Sequence, residues 1–187
     1  YDKSRQKIFL IRDRAGIKPL YYYRKDDLLL FGSELKALYK HERFEKKLDV
    51  NSLALFLQYS YIPGQYSIFQ NTAKLLPGHI LTIDLKSGSQ EIIKYWDVFD
   101  YYNKPKLDLS DADAISETDK LLKSAYEYRM VADVPVGIFL SGGYDSSSVA
   151  ALLQTGRTEK LKTFTIGFHE NEFNEAPEAK KIAAYLG

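Results

Sequence analysis

The sequence predicts an α/β protein built in two parts. Residues 1–105 read as an antiparallel α+β part, and residues 106–187 as a parallel α/β part whose sheet is incomplete. Three observations carry this. Short β-runs joined by tight polar turns fill the first half. Over residues 97–108 the chain turns polar, contains Pro105 and loses its periodicity, which marks a boundary. Beyond it, residues 134–153 (VPVGIFLSGGYDSSSVAALL) spell strand, glycine turn and helix start, and a second β-rich run follows at 161–167. That order makes a βαβ unit, whose strands run parallel.

The first β-run is 8–11. Residues 12–16 turn, Lys18-Pro19 leads into a run at 20–23, and Lys25-Asp26-Asp27 turns the chain into 28–31. These predict an antiparallel set of short strands. A short helix is expected over 33–40, with Ser33 as cap and Leu35 and Leu38 inward. Asp49 caps the next helix, where Leu53, Phe56 and Leu57 form an i, i+3, i+4 stripe. Pro63-Gly64 ends it. Residues 67–69 and 74–79 read as loop, with a tight Pro77-Gly78 turn. Strands at 80–85 and 90–96 flank the turn Lys86-Ser87-Gly88.

Past the boundary, Ser110 or Asp111 caps a long helix. Ile115, Thr118, Leu122, Ala125 and Arg129 mark one face, and the helix stops before Asp133-Val134-Pro135. The helix after the glycine turn runs from about Ser146 to Gln154, where Thr155-Gly156 stops it. Ala179, Ile182, Ala183 and Leu186 give a final amphipathic helix.

Composition narrows the function classes. A hydrophobic content of 45% and a charged content of 27% fit an ordinary soluble globular protein. Lys and Arg number 26 against 25 for Asp and Glu, a net charge of +1 with no block of like charge. That balance excludes nucleic acid and membrane surfaces as expected partners. No apolar run is long enough for a transmembrane helix, and the sequence leads us to expect no signal peptide. The chain has no cysteine, hence no disulfide, thiolate zinc site or cysteine nucleophile, and a cytoplasmic location is expected. His41, His79 and His169 do not make metal spacing, and His79 reads as a structural hydrogen bonder in its turn. Arg12, Asp13 and Arg14 read as an ion-pair or turn group, and Tyr21, Tyr22 and Tyr23 as strand residues rather than base-stacking ones. The chain starts at Tyr1 directly in a strand pattern and ends at Gly187, which reads as the glycine after a helix. The expectation is a fragment of a longer protein.

Gly142-Gly143 alone fits either a corner that needs positive φ or a close backbone approach to a ligand. The flanks favour the second. Ser141 precedes the pair, Asp145 and Ser146 follow it, and a buried strand feeds it, which suits a phosphate beside a helix N-terminus. No Lys follows as in a Walker loop, and the G-x-G-x-x-G spacing is absent.

The segment Ser141-Gly142-Gly143-Tyr144-Asp145-Ser146 resembles the pyrophosphate-loop (PP-loop) motif of ATP-pyrophosphatases. The wider sequence resembles glutamine-dependent asparagine synthetases. The match runs through residues 12–22 (RDRAGIKPLYY), 32–38 (GSELKAL), Tyr61-Ile62-Pro63, 76–79 (LPGH), Tyr95-Trp96, 133–137 (DVPVG), 163–168 (TFTIGF) and 175–187. It covers nearly the whole chain, in order. The resemblance implies that 1–105 is the C-terminal part of an Ntn-type glutaminase domain with its linker. It implies that 106–187 is the start of a synthetase domain of the adenine nucleotide alpha hydrolase-like fold.

The implied reaction adenylates the aspartate side chain with ATP; ammonia from glutamine then displaces AMP, giving asparagine and pyrophosphate. ATP, aspartate and glutamine are the implied small-molecule partners, Mg²⁺ the implied ion, and a homodimer the implied state of the full-length protein. Leu140, Ser141, Gly142, Gly143, Asp145, Ser146 and Ile166 are the implied ATP and pyrophosphate contacts, Leu140 and Ile166 through their backbones. Asp145 orients the loop or reaches Mg²⁺, directly or through water, unless it is a plain helix cap; Ser146 can also cap. Departures are the absent cysteine nucleophile and Asn-Gly-Glu motif, expected before Tyr1, and the Ser-Gly-Glu-Gly loop, expected past Gly187. Tyr144 stands where the family often has Leu. The piece alone is expected to be inactive. Two rivals stay open: amidation of another carboxylate (sugar, peptide or lactam-forming), and a non-catalytic nucleotide-binding domain.

Overall fold

The computed structural model describes every residue except Asn171 and Phe173. It divides into two compact units, Tyr1–Pro105 and Lys106–Gly187. The first holds β1 (Lys7–Ile11), β2 (Tyr21–Lys25), β3 (Leu28–Gly32), α1 (Leu35–Leu38), α2 (Val50–Tyr59), β4 (Thr72–Lys74), β5 (His79–Asp84), β6 (Gln90–Lys94) and α3 (Val98–Tyr102).

These strands form two antiparallel sheets, ordered β1-β5-β6 and β3-β2-β4. β1 therefore does not join β2 and β3, as a simple set of hairpins would require. The segment between β1 and β2 is a broad loop that carries the chain from one sheet to the other. Arg12 braces it by donating to the carbonyls of Lys18, Leu75 and Gly16 at 3.0, 2.7 and 3.0 Å. Asp13 accepts from Ala15 N at 3.1 Å and Ile17 N at 3.2 Å, so this pair builds the turn. Alternation along β1 turns Ile8 and Leu10 inward and leaves Phe9 and Ile11 outward. Leu10, Leu75, Leu81 and Ile83 form the core, with Tyr22 and Leu29 of the other sheet packed against it. The two sheets thus stack face to face. Tyr23 points to the opposite side, into a second cluster with Leu38 and Phe44.

Two elements here escape a sequence reading. β4 is three residues long, too short to show alternation, and is held by pairing with β2. α3 spans under two turns, so it shows no helical period; Asp97 caps it by accepting from Phe99 N at 3.0 Å. Glu34, not Ser33, occupies the cap position of α1, and its side chain makes no cap bond. Asp49 caps α2 as expected, accepting from Ser52 N at 2.7 Å. The α2 stripe is not a core face in this unit: Leu57 is 75% exposed, and the residue α2 buries is Ser52. At the Pro77-Gly78 turn, Gly78 has φ +68, and a Cβ there would strike the carbonyl of Trp96. Only glycine meets both demands.

The second unit holds α4 (Asp111–Arg129), β7 (Gly137–Phe139), α5 (Tyr144–Gln154), β8 (Lys162–Phe164) and α6 (Ala176–Leu186). β7 and β8 pair in parallel, Phe139 opposite Phe164. Ser110 caps α4, accepting from Asp113 N at 3.2 Å. The face of α4 marked by Ile115, Thr118, Leu122, Ala125 and Arg129 is open: Ile115 is 70% exposed, and α4 buries no residue. The core lies between α5, α6 and the end of β7, where Leu140, Ala150 and Ala179 meet and Ile182, Ala183 and Leu186 pack on them. Among the described residues no helix is long and apolar enough to cross a membrane.

Candidate functional site

β7 hands the chain to Leu140, which is 2% exposed. Its N–H donates to Phe164 O at 2.9 Å, and its carbonyl accepts from the Thr165 hydroxyl at 2.7 Å. The strand edge is fixed there, and Leu140's N–H is already committed. The chain then turns through Ser141, Gly142 and Gly143 into α5.

The serines knit this turn together. Ser146 Oγ accepts from Ser141 N at 3.1 Å and lies 2.8 Å from Ser141 Oγ. Ser141 Oγ accepts from Gly143 N at 3.3 Å. Ser147 Oγ donates to Gly143 O at 2.7 Å. The hydroxyls therefore occupy two of the loop's own amides. The amides of Gly142, Tyr144 and Asp145 meet no acceptor among the described residues. The last two belong to the first turn of α5, where a helix leaves N–H groups open beside its positive dipole end.

Gly143 is the cap of α5, which starts two residues earlier than the sequence suggests. Neither Asp145 nor Ser146 is a cap; both lie in the first turn. Neither glycine of the pair has positive φ. A Cβ on Gly142 would come within 3.2 Å of Glu178 Cβ, so this glycine admits the N-terminal turn of α6. A Cβ on Gly143 would meet only Ser141 Oγ, at 3.4 Å, which leaves its backbone open to approach.

Beside the turn lies a cleft of about 720 Å³. Phe139, Leu140, Phe164, Ile166 and Phe168 make its apolar walls, and Ser141, Thr165 and Glu175 are its polar lining. Leu140, Ser141 and Ile166 thus share one cleft, while Gly142, Gly143, Asp145 and Ser146 sit in the adjoining turn. Sequence reasoning missed the amide of Tyr144, which follows once α5 begins at that residue. It also missed Glu175, whose sequence signal is slight: a carboxylate just before the Ala-Pro start of a helix.

Elsewhere, His79 Nδ1 lies 2.7 Å from Pro77 O, a structural bond. Burial and the nearby Arg12 charge hold the Lys74 ammonium below its ordinary pKa. Among the described residues no group of three His, Cys, Asp or Glu could hold a metal.

Comparison with known proteins gives this architecture a context. The family model for the glutamine amidotransferase domain matches residues 1–96, and that for asparagine synthase matches residues 117–187. This chain belongs to the glutamine-hydrolysing asparagine synthetase family. Among its relatives is a Methanocaldococcus jannaschii protein named putative asparagine synthetase [glutamine-hydrolyzing] 2. The two are 40% identical, over 100% of this chain and 36% of the relative. Asparagine synthetase [glutamine-hydrolyzing] 3 of Bacillus subtilis is 35% identical over 92% of this chain and 28% of its own length. A Gibberella zeae protein named amidase chry2 is 34% identical over 100% of this chain and 29% of its own length. The chain thus spans about a third of the length of these relatives. The amidotransferase match lies in the first compact unit and the asparagine synthase match in the second.

Proposed function

We propose that residues 106–187 are the nucleotide-binding start of an ATP-dependent amide-forming synthetase, and that residues 1–105 belong to the glutaminase domain that supplies its ammonia. On this reading an aspartate side-chain oxygen attacks the α-phosphorus of ATP. Pyrophosphate leaves with the electrons of the broken bond. Ammonia freed from glutamine then attacks the acyl carbon and displaces AMP, giving asparagine. One observation carries the reading: a glycine turn with open amides adjoins an apolar cleft at the carboxyl ends of two parallel strands, in a chain of this family. Open α/β sheets bind ligands outside those strand ends.

Charge grows on the pyrophosphate oxygens as the bond to the α-phosphorus breaks. Donors fixed there lower the barrier. The amides of Gly142, Tyr144 and Asp145 are the donors this chain offers, with that of Gly143 once its serine acceptor turns away. The Ser141 and Ser146 hydroxyls can donate to phosphate in place of each other. Leu140 contributes through its carbonyl, since its N–H is held by Phe164. Mg²⁺ fits this corner by its chemistry, because Asp145 is an exposed carboxylate in the first turn and Mg²⁺ is usually held by one or two carboxylates with substrate phosphates. Asp145 would hold the ion, which when bound supplies the positive charge that this stretch of sequence lacks.

Pyrophosphate release by the full-length protein, given ATP, Mg²⁺, aspartate and glutamine, tests the reading. ATP binding without aspartate-dependent release would make the unit a binding module instead. A second reading keeps the chemistry and changes the acceptor carboxylate. A relative in the family that is named an amidase, rather than an asparagine synthetase, leaves that acceptor open. Release that depends on a sugar or peptide carboxylate, and not on aspartate, would select it.

A further inference from the structure

We propose that Glu175 selects the nucleotide by accepting a hydrogen bond from its ribose; this rests on the nucleotide reading above. Of the three polar side chains that line the cleft, two are occupied. The Thr165 hydroxyl donates to Leu140 O at 2.7 Å. The Ser141 hydroxyl is tied to Ser146 Oγ at 2.8 Å and to Gly143 N at 3.3 Å. Glu175 is the one charged group of the lining, and it has no ion-pair or hydrogen-bond partner for its carboxylate among the described residues.

The helix does not need that carboxylate. Glu175 occupies the cap position of α6, yet its side chain makes no cap bond. Asn174 does so in its place, its Oδ1 accepting from Ala176 N at 3.2 Å. Nor is it half of a surface pair, as Glu178 is with Lys181 at 2.6 Å. Glu175 is exposed where it lines the cleft, and its carboxylate is left without a partner among the described residues, so it can accept from a donor on a ligand.

Its position says which donor. The Cβ of Glu175 lies 3.9 Å from where a Cβ on Gly142 would stand, beside the turn, while its lining partners are the apolar walls. With phosphates on the turn amides and the base against those walls, the sugar lies between. An ionised carboxylate only accepts hydrogen bonds, so it repels phosphate oxygens and welcomes O–H groups. The 2′- and 3′-hydroxyls are the donors that ATP presents there.

The test uses full-length protein at limiting and at excess Mg²⁺. Calorimetric affinities are compared for ATP, 2′-deoxy-ATP and 3′-deoxy-ATP, in the wild type, Glu175→Ala and Glu175→Gln. A hydrogen bond to a charged group corresponds to about 10- to 100-fold in affinity. The wild type should prefer ATP over at least one deoxy analogue by that factor. Glu175→Ala should bind ATP as weakly as the wild type binds that analogue, with no preference left, and Glu175→Gln should keep part of it. An unchanged preference in Glu175→Ala overturns the proposal. So does a loss of ATP affinity that excess Mg²⁺ restores, since that would mark a cation ligand. Wild-type protein that binds no ATP overturns the nucleotide reading itself, whereas ATP binding with an unaltered preference overturns the ribose contact alone.

Discussion

Replacing Gly143 with valine should separate ligand binding from folding. The cost to the fold is small. A Cβ at this position meets only Ser141 Oγ, at an ordinary 3.4 Å, and the backbone at φ −85 and ψ 162 lies in the extended region that β-branched residues favour. What is lost is a tolerable helix cap, about 1 kcal/mol. The cost to a bound phosphate is larger. Bulk at the mouth of the turn would keep a phosphate from two or more of the amides of Gly142, Gly143, Tyr144 and Asp145. Each bond to a charged oxygen contributes about 1.5–3 kcal/mol, so two lost bonds weaken ATP by about a hundredfold or more. Calorimetric titration of full-length Gly143→Val with ATP and Mg²⁺, beside its thermal melt, reads both effects. Unchanged ATP affinity would refute the reasoning. A collapsed melt would assign Gly143 to packing instead.

Gly142→Ala should behave in the opposite way, because its Cβ would crowd Glu178 Cβ at 3.2 Å and push α6 outward; chemical denaturation should register about 1–3 kcal/mol of lost stability. Ser146→Ala removes the acceptor that satisfies Ser141 N, and should lower stability by about 1 kcal/mol while raising the KM for ATP. Tyr23→Phe removes a fully buried hydroxyl that has no partner among the described residues, so stability should rise by about 1 kcal/mol in the same assay. Lys74 is a half-buried cation held below its ordinary pKa of 10.5 by burial and by Arg12. Between its depressed folded value and that ordinary value the unfolded chain binds the extra proton, so stability rises with pH through that window. Wild type minus Lys74→Met, followed by urea unfolding from pH 7 upward, should therefore grow more favourable to the wild type; a flat difference would count against the burial effect.

Much of the architecture was legible where a residue pattern has one physical meaning. Ile8 and Leu10 alternate with outward neighbours, Asp49 takes the amide it should, and Ala179, Ile182, Ala183 and Leu186 fall on one packed stripe of α6. Partner choice was not legible. β1 joins β5, far along the chain, and Arg12 braces the loop after β1 through carbonyls as distant as that of Leu75, contacts that local patterns do not encode. The sequence shows a stripe of Leu53, Phe56 and Leu57 on α2 and a face of Ile115, Thr118, Leu122, Ala125 and Arg129 on α4, yet a stripe does not say what covers it, and in this structure both stand largely open. At the turn, the sequence points to the serines and glycines, and the open backbone of Gly143 agrees with a close approach, but the packing role of Gly142 is not written in the spacing. Gly142 answers to the approach of α6, a contact between residues far apart in the chain. Glu175 was hidden for the same reason. Its meaning appears only when α6 brings it beside residues of β7 and β8.

A crystal structure of the full-length protein with an ATP analogue that cannot be cleaved between its α- and β-phosphates is the most direct test. Phosphate oxygens should lie on the amides of Gly142, Tyr144 and Asp145, with the base against Phe139, Leu140 and Ile166. Nucleotide bound elsewhere, with the Ser141–Ser146 bonds undisturbed and the turn bare, would contradict this placement.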